Sequence, residues 1–260
     1  MNILDRIIAH KKDEVARLKR KGIAYPDADI TPPRGFRAAI AGREAKGVSV
    51  IAEVKRSSPS KGLLCPDFDP LAIAADYENG GAAAVSVLTD EQFFKGSLSY
   101  LPLIRGEINL PLLRKDFIID HIQVEEARLW GADAILLIIA VLDSGLLSEL
   151  LHHAGELGLD CLVEVHDEKE METALNAGAD LAGVNNRNLK DFSINLETTF
   201  RLKEMVGDAV PIVSESGISG PDDMKRLAAA GVNAALIGEG LVKAGDRVSA
   251  LCDLVRAGRP

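Results

Sequence analysis

Cysteine is scarce in this sequence, and the three present, Cys65, Cys161 and Cys252, are odd in number and never in CxxC spacing. That excludes a disulfide framework and a cysteine-ligated zinc site as organising features, and points to a reducing, cytoplasmic setting. Histidine gives no metal signature either. His10, His121, His152, His153 and His166 form no HxH or HExxH pattern, and His152 and His153, as neighbours on a helix, face different ways. His166, close to Glu164, is the single candidate ligand, so metal chemistry is not expected. The longest apolar run, Ala134 to Leu142, is too short to cross a bilayer. No basic start followed by an apolar run opens the chain, and no membrane association is expected. Positive charge is also in deficit. Thirty Lys and Arg against 39 Asp and Glu leave a formal charge of -9, which repels nucleic acid and anionic membranes.

What is present is material for a core: 260 residues, 47% hydrophobic, is the size of one α/β barrel and too apolar for a disordered chain. Ile3, Leu4, Ile7, Ile8, Val15 and Leu18 recur at helical spacing and predict a helix over roughly Asn2–Arg20, with Asn2 as its cap and Lys19, Arg20 and Lys21 complementing its negative end. Thr31-Pro-Pro-Arg-Gly35 reads as a stiff extended connector, and a short helix around Phe36–Gly42 completes an N-terminal helical extension. Residues 1–46 are that extension, and the whole of 1–260 is read as one domain.

From Val48 onward β-branched runs alternate with helical patterns, as in repeated βα units. Eight such runs are found: Val48–Val54, Ala83–Leu88, Leu112–Arg114, Ala134–Ile139, Cys161–Val165, Leu181–Val184, Pro211–Ser214 and Ala234–Ile237. Gly81-Ala, Gly131-Ala, Gly178-Ala and Gly231-Val end helices before the second, fourth, sixth and eighth runs, a repeat of about fifty residues, or two βα units. A closed (β/α)8 TIM barrel is the expected fold, with an open doubly wound sheet as the competitor.

In such a barrel the C-terminal strand ends face the active site. Those ends carry Glu53 and Lys55, Lys115 and Phe117, Glu164, Asn185 and Arg187, and Glu215-Ser216-Gly217. Residues two apart on a strand share a face, so Lys115 and Phe117 set a cation beside an aromatic wall, suited to an acidic aromatic substrate. A lone lysine in that position could equally reach past the strand to solvent; five charged strand ends converging on one mouth read as a site. Lys55, Lys115 and Arg187 concentrate positive charge for an anionic ligand, and Glu53 and Glu164 are available for proton transfer. Gly217 and Gly238-Glu239-Gly240 fall in the loops after strands seven and eight, where barrels commonly bind phosphate. GxGxxG and GxxxxGKS/T spacings are missing, so the phosphate is expected on a small sugar phosphate rather than on ATP or NAD. Ser57-Ser-Pro-Ser-Lys-Gly62 reads as a mobile loop hinged at Gly62, with Ser58 nearest the ligand.

These residues resemble one family, the indole-3-glycerol phosphate synthases of tryptophan biosynthesis. The motifs are Ile51-Ala-Glu-Val-Lys-Arg-Ser-Ser-Pro-Ser-Lys-Gly62, Leu113-Arg-Lys-Asp-Phe117, Leu162-Val-Glu-Val-His166, Gly183-Val-Asn-Asn-Arg-Asn-Leu189, Ser214-Glu-Ser-Gly-Ile218 and Leu236-Ile-Gly-Glu239. The resemblance implies a cofactor-free lyase acting on 1-(2-carboxyphenylamino)-1-deoxyribulose 5-phosphate, as a monomer or weak homo-oligomer. It implies Lys115 as the general acid of ring closure, with Glu164, Glu53 and Lys55 handling charge stabilisation and dehydration. Asn185, Arg187 and Ser216 are the implied substrate contacts, and Gly217, Gly238 and Glu239 the phosphate contacts, Glu239 acting through its N–H. It further implies that the N-terminal extension lies over the barrel mouth. Phosphoribosylanthranilate isomerase, another phosphosugar enzyme on this barrel, is the alternative, and a barrel that only binds phosphosugars is a second, disfavoured by Glu53, Lys115 and Glu164.

Overall fold

The computed structural model describes residues 3–41, 47–188 and 192–259. Asn2, Gly42, the foot of the extension at 43–46, and Leu189 lie outside the described residues. Eight parallel strands form the fold: β1 (Ser49–Val54), β2 (Ala84–Leu88), β3 (Leu112–Lys115), β4 (Ala134–Ile138), β5 (Asp160–Val165), β6 (Ala182–Asn185), β7 (Ile212–Glu215) and β8 (Ala234–Ile237). Each pairs with its neighbours, and β1 pairs with both β2 and β8, so the ring closes and the open sheet is ruled out. Gly81, Gly131, Gly178 and Gly231 all have the left-handed φ that a glycine helix terminus requires, 85°, 87°, 95° and 70°. The fifty-residue repeat is therefore a repeat of backbone geometry.

Every strand is buried on both faces, which is why the runs are continuously apolar rather than alternating. Outward residues such as Val50, Val85, Ile135 and Val163 pack under the surrounding helices, while Ile51, Leu113, Leu162 and Val213 fill the barrel interior. Aspartates start several of the helices: Asp69, Asp120, Asp143, Asp167 and Asp246 each accept backbone N–H groups of the first turn.

The N-terminal extension divides between the two ends of the barrel. Helix α1 (Ile3–Lys21) lies at the C-terminal mouth, where Ile3, Leu4 and Ile7 line the cavity. Helix α2 (Phe36–Ala41) goes to the opposite end, where Phe36 and Ile40 are fully buried with Ala84, Ala134 and Ala234 at the strand starts. Small residues at those starts leave room for the plug. The connector between the helices is fixed by Asp133, whose carboxylate accepts from the Arg34 and Leu112 backbone N–H groups and from Arg105, each at 2.7 Å.

Several elements escaped the sequence reading. A four-residue helix, Glu91–Phe94, and another, Glu239–Val242, are too short to show periodicity. A further one corrects the loop after β1: Ser57–Ser58 and Gly62–Leu63 form an antiparallel hairpin, tied by the Ser57 hydroxyl donating to Gly62 O at 2.9 Å. Gly62, at φ 67°, closes that hairpin rather than hinging a free loop.

Candidate active site

The odd-numbered strands each place one ionisable side chain in a single layer at the top of the barrel: Glu53 from β1, Lys115 from β3, Glu164 from β5 and Glu215 from β7. Two residues earlier on the same strands stand Ile51, Leu113, Leu162 and Val213, the apolar layer beneath. Alternate strands fill a barrel layer by layer, and here the uppermost layer is charged. It floors a cavity of about 730 Å³ whose walls include Phe94, Phe117, Leu136 and Ile138.

Lys115 Nζ is 3.0 Å from Glu215 Oε2 and 3.9 Å from Glu53 Oε2, and Lys55 Nζ is 2.5 Å from Glu53 Oε1. Burial alone would push the Lys115 ammonium down, but Glu215, Glu53 and Glu164 together hold it above its ordinary value. Glu53 is likewise buried, yet Lys55 and Lys115 keep its carboxyl below the usual range. Glu215 goes the other way. Only 2% exposed, it is pushed up to about 7 by burial and by the Glu164 and Glu53 charges, against the pull of Lys115. The layer thus holds an ammonium that stays charged, a carboxylate that stays ionised and a carboxyl poised to exchange a proton near neutrality.

The even strands make room for these groups. A Cβ on Gly183 of β6 would sit 2.4 Å from Glu215 Oε1. The aromatic wall is a pair, Phe94 and Phe117, with ring centroids 6.2 Å apart. On the far side Ser216 and Gly217 both take left-handed φ, 64° and 87°, and Gly238 precedes the short helix Glu239–Val242. The Glu239 carboxylate is paired with Lys61 Nζ at 3.0 Å and Lys243 Nζ at 2.8 Å, so two more cations stand at this end.

The family model described as "Indole-3-glycerol phosphate synthase" matches residues 4–254. The chain belongs to the indole-3-glycerol phosphate synthase family. A relative of that name from Desulfotalea psychrophila is 55% identical over 98% of this chain and 99% of its own length. Another, from Chlorobium chlorochromatii, is 51% identical over 93% and 95%. Among solved structures, a 3-hexulose-6-phosphate synthase superposes with a TM-score of 0.66 at 14% identity, over 81% of this chain and 99% of that one, a likeness of fold alone.

For this member of the indole-3-glycerol phosphate synthase family, the structure brings every sequence-predicted site residue to one cavity: Glu53, Lys55, Ser58, Lys115, Phe117, Glu164, Asn185, Arg187, Ser216, Gly217, Gly238 and Glu239 all line it. Among the described residues no group of three or more His, Cys, Asp and Glu side chains is arranged to hold a metal ion. Several participants went unassigned in the sequence. Glu215 was visible as a strand end but given no role, although it makes the closest contact to Lys115. Phe94 belongs to the four-residue helix. Asn186, between two inward residues, points outward, where alternation discounts it. Its Nδ2 lies 3.0 Å from each of Ser214 Oγ, Glu215 O and Ser216 O, while its Oδ1 accepts from the Thr199 N–H and hydroxyl. It ties the end of β6 to the end of β7. Lys11 of α1, 2% exposed, meets Glu14 at 2.6 Å, Asp116 at 2.8 Å and Asp90 at 3.1 Å, latching α1 onto the strand that carries Lys115.

Proposed function

We propose that this chain performs its family's reaction, closing 1-(2-carboxyphenylamino)-1-deoxyribulose 5-phosphate to indole-3-glycerol phosphate with loss of carbon dioxide and water. The observation that carries the reading is the Lys115 ammonium, held charged among three carboxylates and sharing one cavity with the Phe94–Phe117 wall. In this reading the anthranilate ring stacks on that wall. The phosphate lies at Gly217, Gly238 and Glu239, received by backbone N–H groups, with Lys61 and Lys243 neutralising the Glu239 carboxylate that would otherwise repel it. Asn185, Arg187 and Ser216 hold the substrate between these ends, with Ser58 above.

The ring carbon bearing the carboxylate attacks the ketone carbon, and Lys115 gives its proton to the ketone oxygen, which becomes a hydroxyl. An alkoxide left there would be a stronger base than the amine, so even a lysine of raised pKa transfers its proton favourably. The bond to the carboxylate then breaks, its electrons restoring the aromatic ring as carbon dioxide leaves. Dehydration follows: the hydroxyl departs as water with a second proton, and the neighbouring CH2 loses a proton as the indole double bond forms. Glu164 and the Glu53–Lys55 pair serve this step. Glu215, beside Lys115 and titrating near neutrality, returns the proton that Lys115 has given up.

The decisive experiment supplies the carboxyphenylamino substrate and follows indole fluorescence, with phosphoribosylanthranilate as the alternative substrate. Product from the first and none from the second is expected. A folded protein that yields no indole from the first would remove this reading.

A further inference from the structure

His166 ends the Leu162-Val-Glu-Val-His166 motif, two residues beyond Glu164, and takes no part in the chemistry so far described. It does not line the cavity; it stands behind Glu164, 15% exposed. Its ring is fixed from the outer side. Glu170, in the first turn of the helix Glu168–Asn176, places Oε2 3.0 Å from His166 Nδ1 and 2.8 Å from the His166 backbone N–H, while the Glu170 N–H is itself held by the Asp167 cap. A carboxylate only accepts, so Nδ1 carries a hydrogen. The other ring nitrogen, Nε2, is buried, has no hydrogen-bond partner and lies 3.4 Å from Glu164 Oε1.

That arrangement limits the protonation states. With Nδ1–H committed to Glu170, a neutral imidazole would turn its Nε2 lone pair toward a carboxylate oxygen, an unfavourable contact away from water. A proton between Nε2 and Glu164 Oε1 removes the conflict, whether it resides on the histidine or on the glutamate. We infer that His166 and Glu164 share one proton, and that His166 is the positioning residue that orients Glu164 and connects it, through Nδ1–H and Glu170, to solvent. With the shared proton on Nε2, Glu164 is free to take a proton from substrate; the Nδ1 proton then leaves by way of Glu170, which is more exposed, and the imidazole keeps its Nε2–H toward Glu164. Nothing is oxidised, and the pair releases one proton for the one it takes up.

The charged groups that face the imidazole are Glu164 near the end of β5, just before His166, Glu170 on the following helix and Glu215 on β7, all carboxylates. Burial works against the imidazolium, but the Glu170 hydrogen bond and these charges outweigh it and hold His166 above its ordinary value. The inference rests on the function proposed above only in assigning Glu164 a proton-transfer role; the shared proton itself follows from geometry.

The test reads both parts separately. In the intact protein, 15N-histidine NMR across pH 5 to 9 follows His166. Its titration midpoint is expected above that of free histidine and to fall in Glu164→Gln and in Glu170→Gln. A midpoint unmoved by Glu164→Gln would overturn the inference, whether or not the protein makes indole. If indole is formed, His166→Gln, which can donate but not relay a proton, should keep KM within about twofold and lower kcat by roughly tenfold, short of the ~10²–10⁴ for losing an acid–base group outright. The limb of the kcat–pH profile due to the pair should disappear. An unchanged kcat and pH profile in a folded His166→Gln would also overturn it, while leaving the proposed function standing.

Discussion

A Cβ on Gly238 would lie 2.4 Å from Glu53 Oε1 and 3.0 Å from Lys55 Nζ. The φ of Gly238 is -119°, open to any residue, so it is space and not backbone freedom that demands glycine here. The glycine of the proposed phosphate loop is also the wall against which the Glu53–Lys55 pair is seated. Gly238→Ala is therefore expected to lower kcat as well as raise KM, because displacing reacting groups by about 1 Å can cost on the order of a hundredfold. Steady-state kinetics decide it: a rise in KM at constant kcat would confine Gly238 to phosphate binding.

Lys115→Met keeps the apolar stem and deletes the ammonium. If Lys115 protonates the ketone, its help is confined to the transition state, and kcat should fall by ~10²–10⁴ with a modest change in KM. Stability should respond to pH as well. A carboxyl whose folded pKa is raised costs stability as pH climbs from its unfolded value, about 4.3, through the folded one, about 7 for Glu215. Without its countercharge Glu215 moves higher still, and the cost continues to grow above pH 7. The Tm gap between wild type and variant is expected to widen from pH 6 to pH 8. A gap that narrows would show that Lys115 is not what keeps the Glu215 carboxyl from rising further.

The latch on α1 gives a prediction of opposite sign. Asp116 is held well below the usual carboxylate range: burial opposes ionisation, but Lys11 and Arg114 overcome it. Stability from such a group is present above its unfolded pKa and fades as pH falls toward the folded one. Lys11→Met leaves Asp90 and Asp116 buried without their shared cation, at a cost of about 3–5 kcal/mol near neutrality. Urea unfolding should show that loss at pH 7 and a smaller one at pH 4, where Asp116 can take up a proton. Equal losses at both would mean that Lys11 contributes packing and not charge.

The order of strands and helices was legible because it rests on local signals: apolar runs of strand length, helical periodicity between them and a glycine terminus every second unit. Lys115 and Glu164 were legible for the same reason, as charges at the ends of apolar runs. What was hidden depends on contacts between distant segments. Lys11 reads as one more lysine on the polar face of a helix, and only the docking of α1 against Asp90 and Asp116 buries it. Glu215 is a hundred positions from Lys115, and no spacing rule pairs them. The division of the extension between mouth and base was equally out of reach, since Phe36 and Ile40 look the same whether they pack outside a barrel or plug it.

Asn186 offers the sharpest separation of position from chemistry, because it touches no cavity surface yet holds the backbone at both Glu215 and Ser216. Ser216, at φ 64°, sits in the left-handed region that costs a non-glycine residue about 1–3 kcal/mol unless its surroundings impose it. The Asn186 amide, by donating to Ser216 O, supplies that imposition. Asn186→Asp preserves shape but turns an acceptor toward the two carbonyls, and should raise KM and lower kcat together as the strand end relaxes. If the role is to hold the backbone, Ser216→Gly, which removes the strain, should make the protein less dependent on Asn186. A double-mutant cycle of Asn186→Ala with Ser216→Gly, read by urea unfolding, is then expected to show a coupling of about 0.5–3 kcal/mol, the two changes together costing less than their sum. Additivity within about 0.3–0.5 kcal/mol would mean that Asn186 merely fills space between β6 and β7.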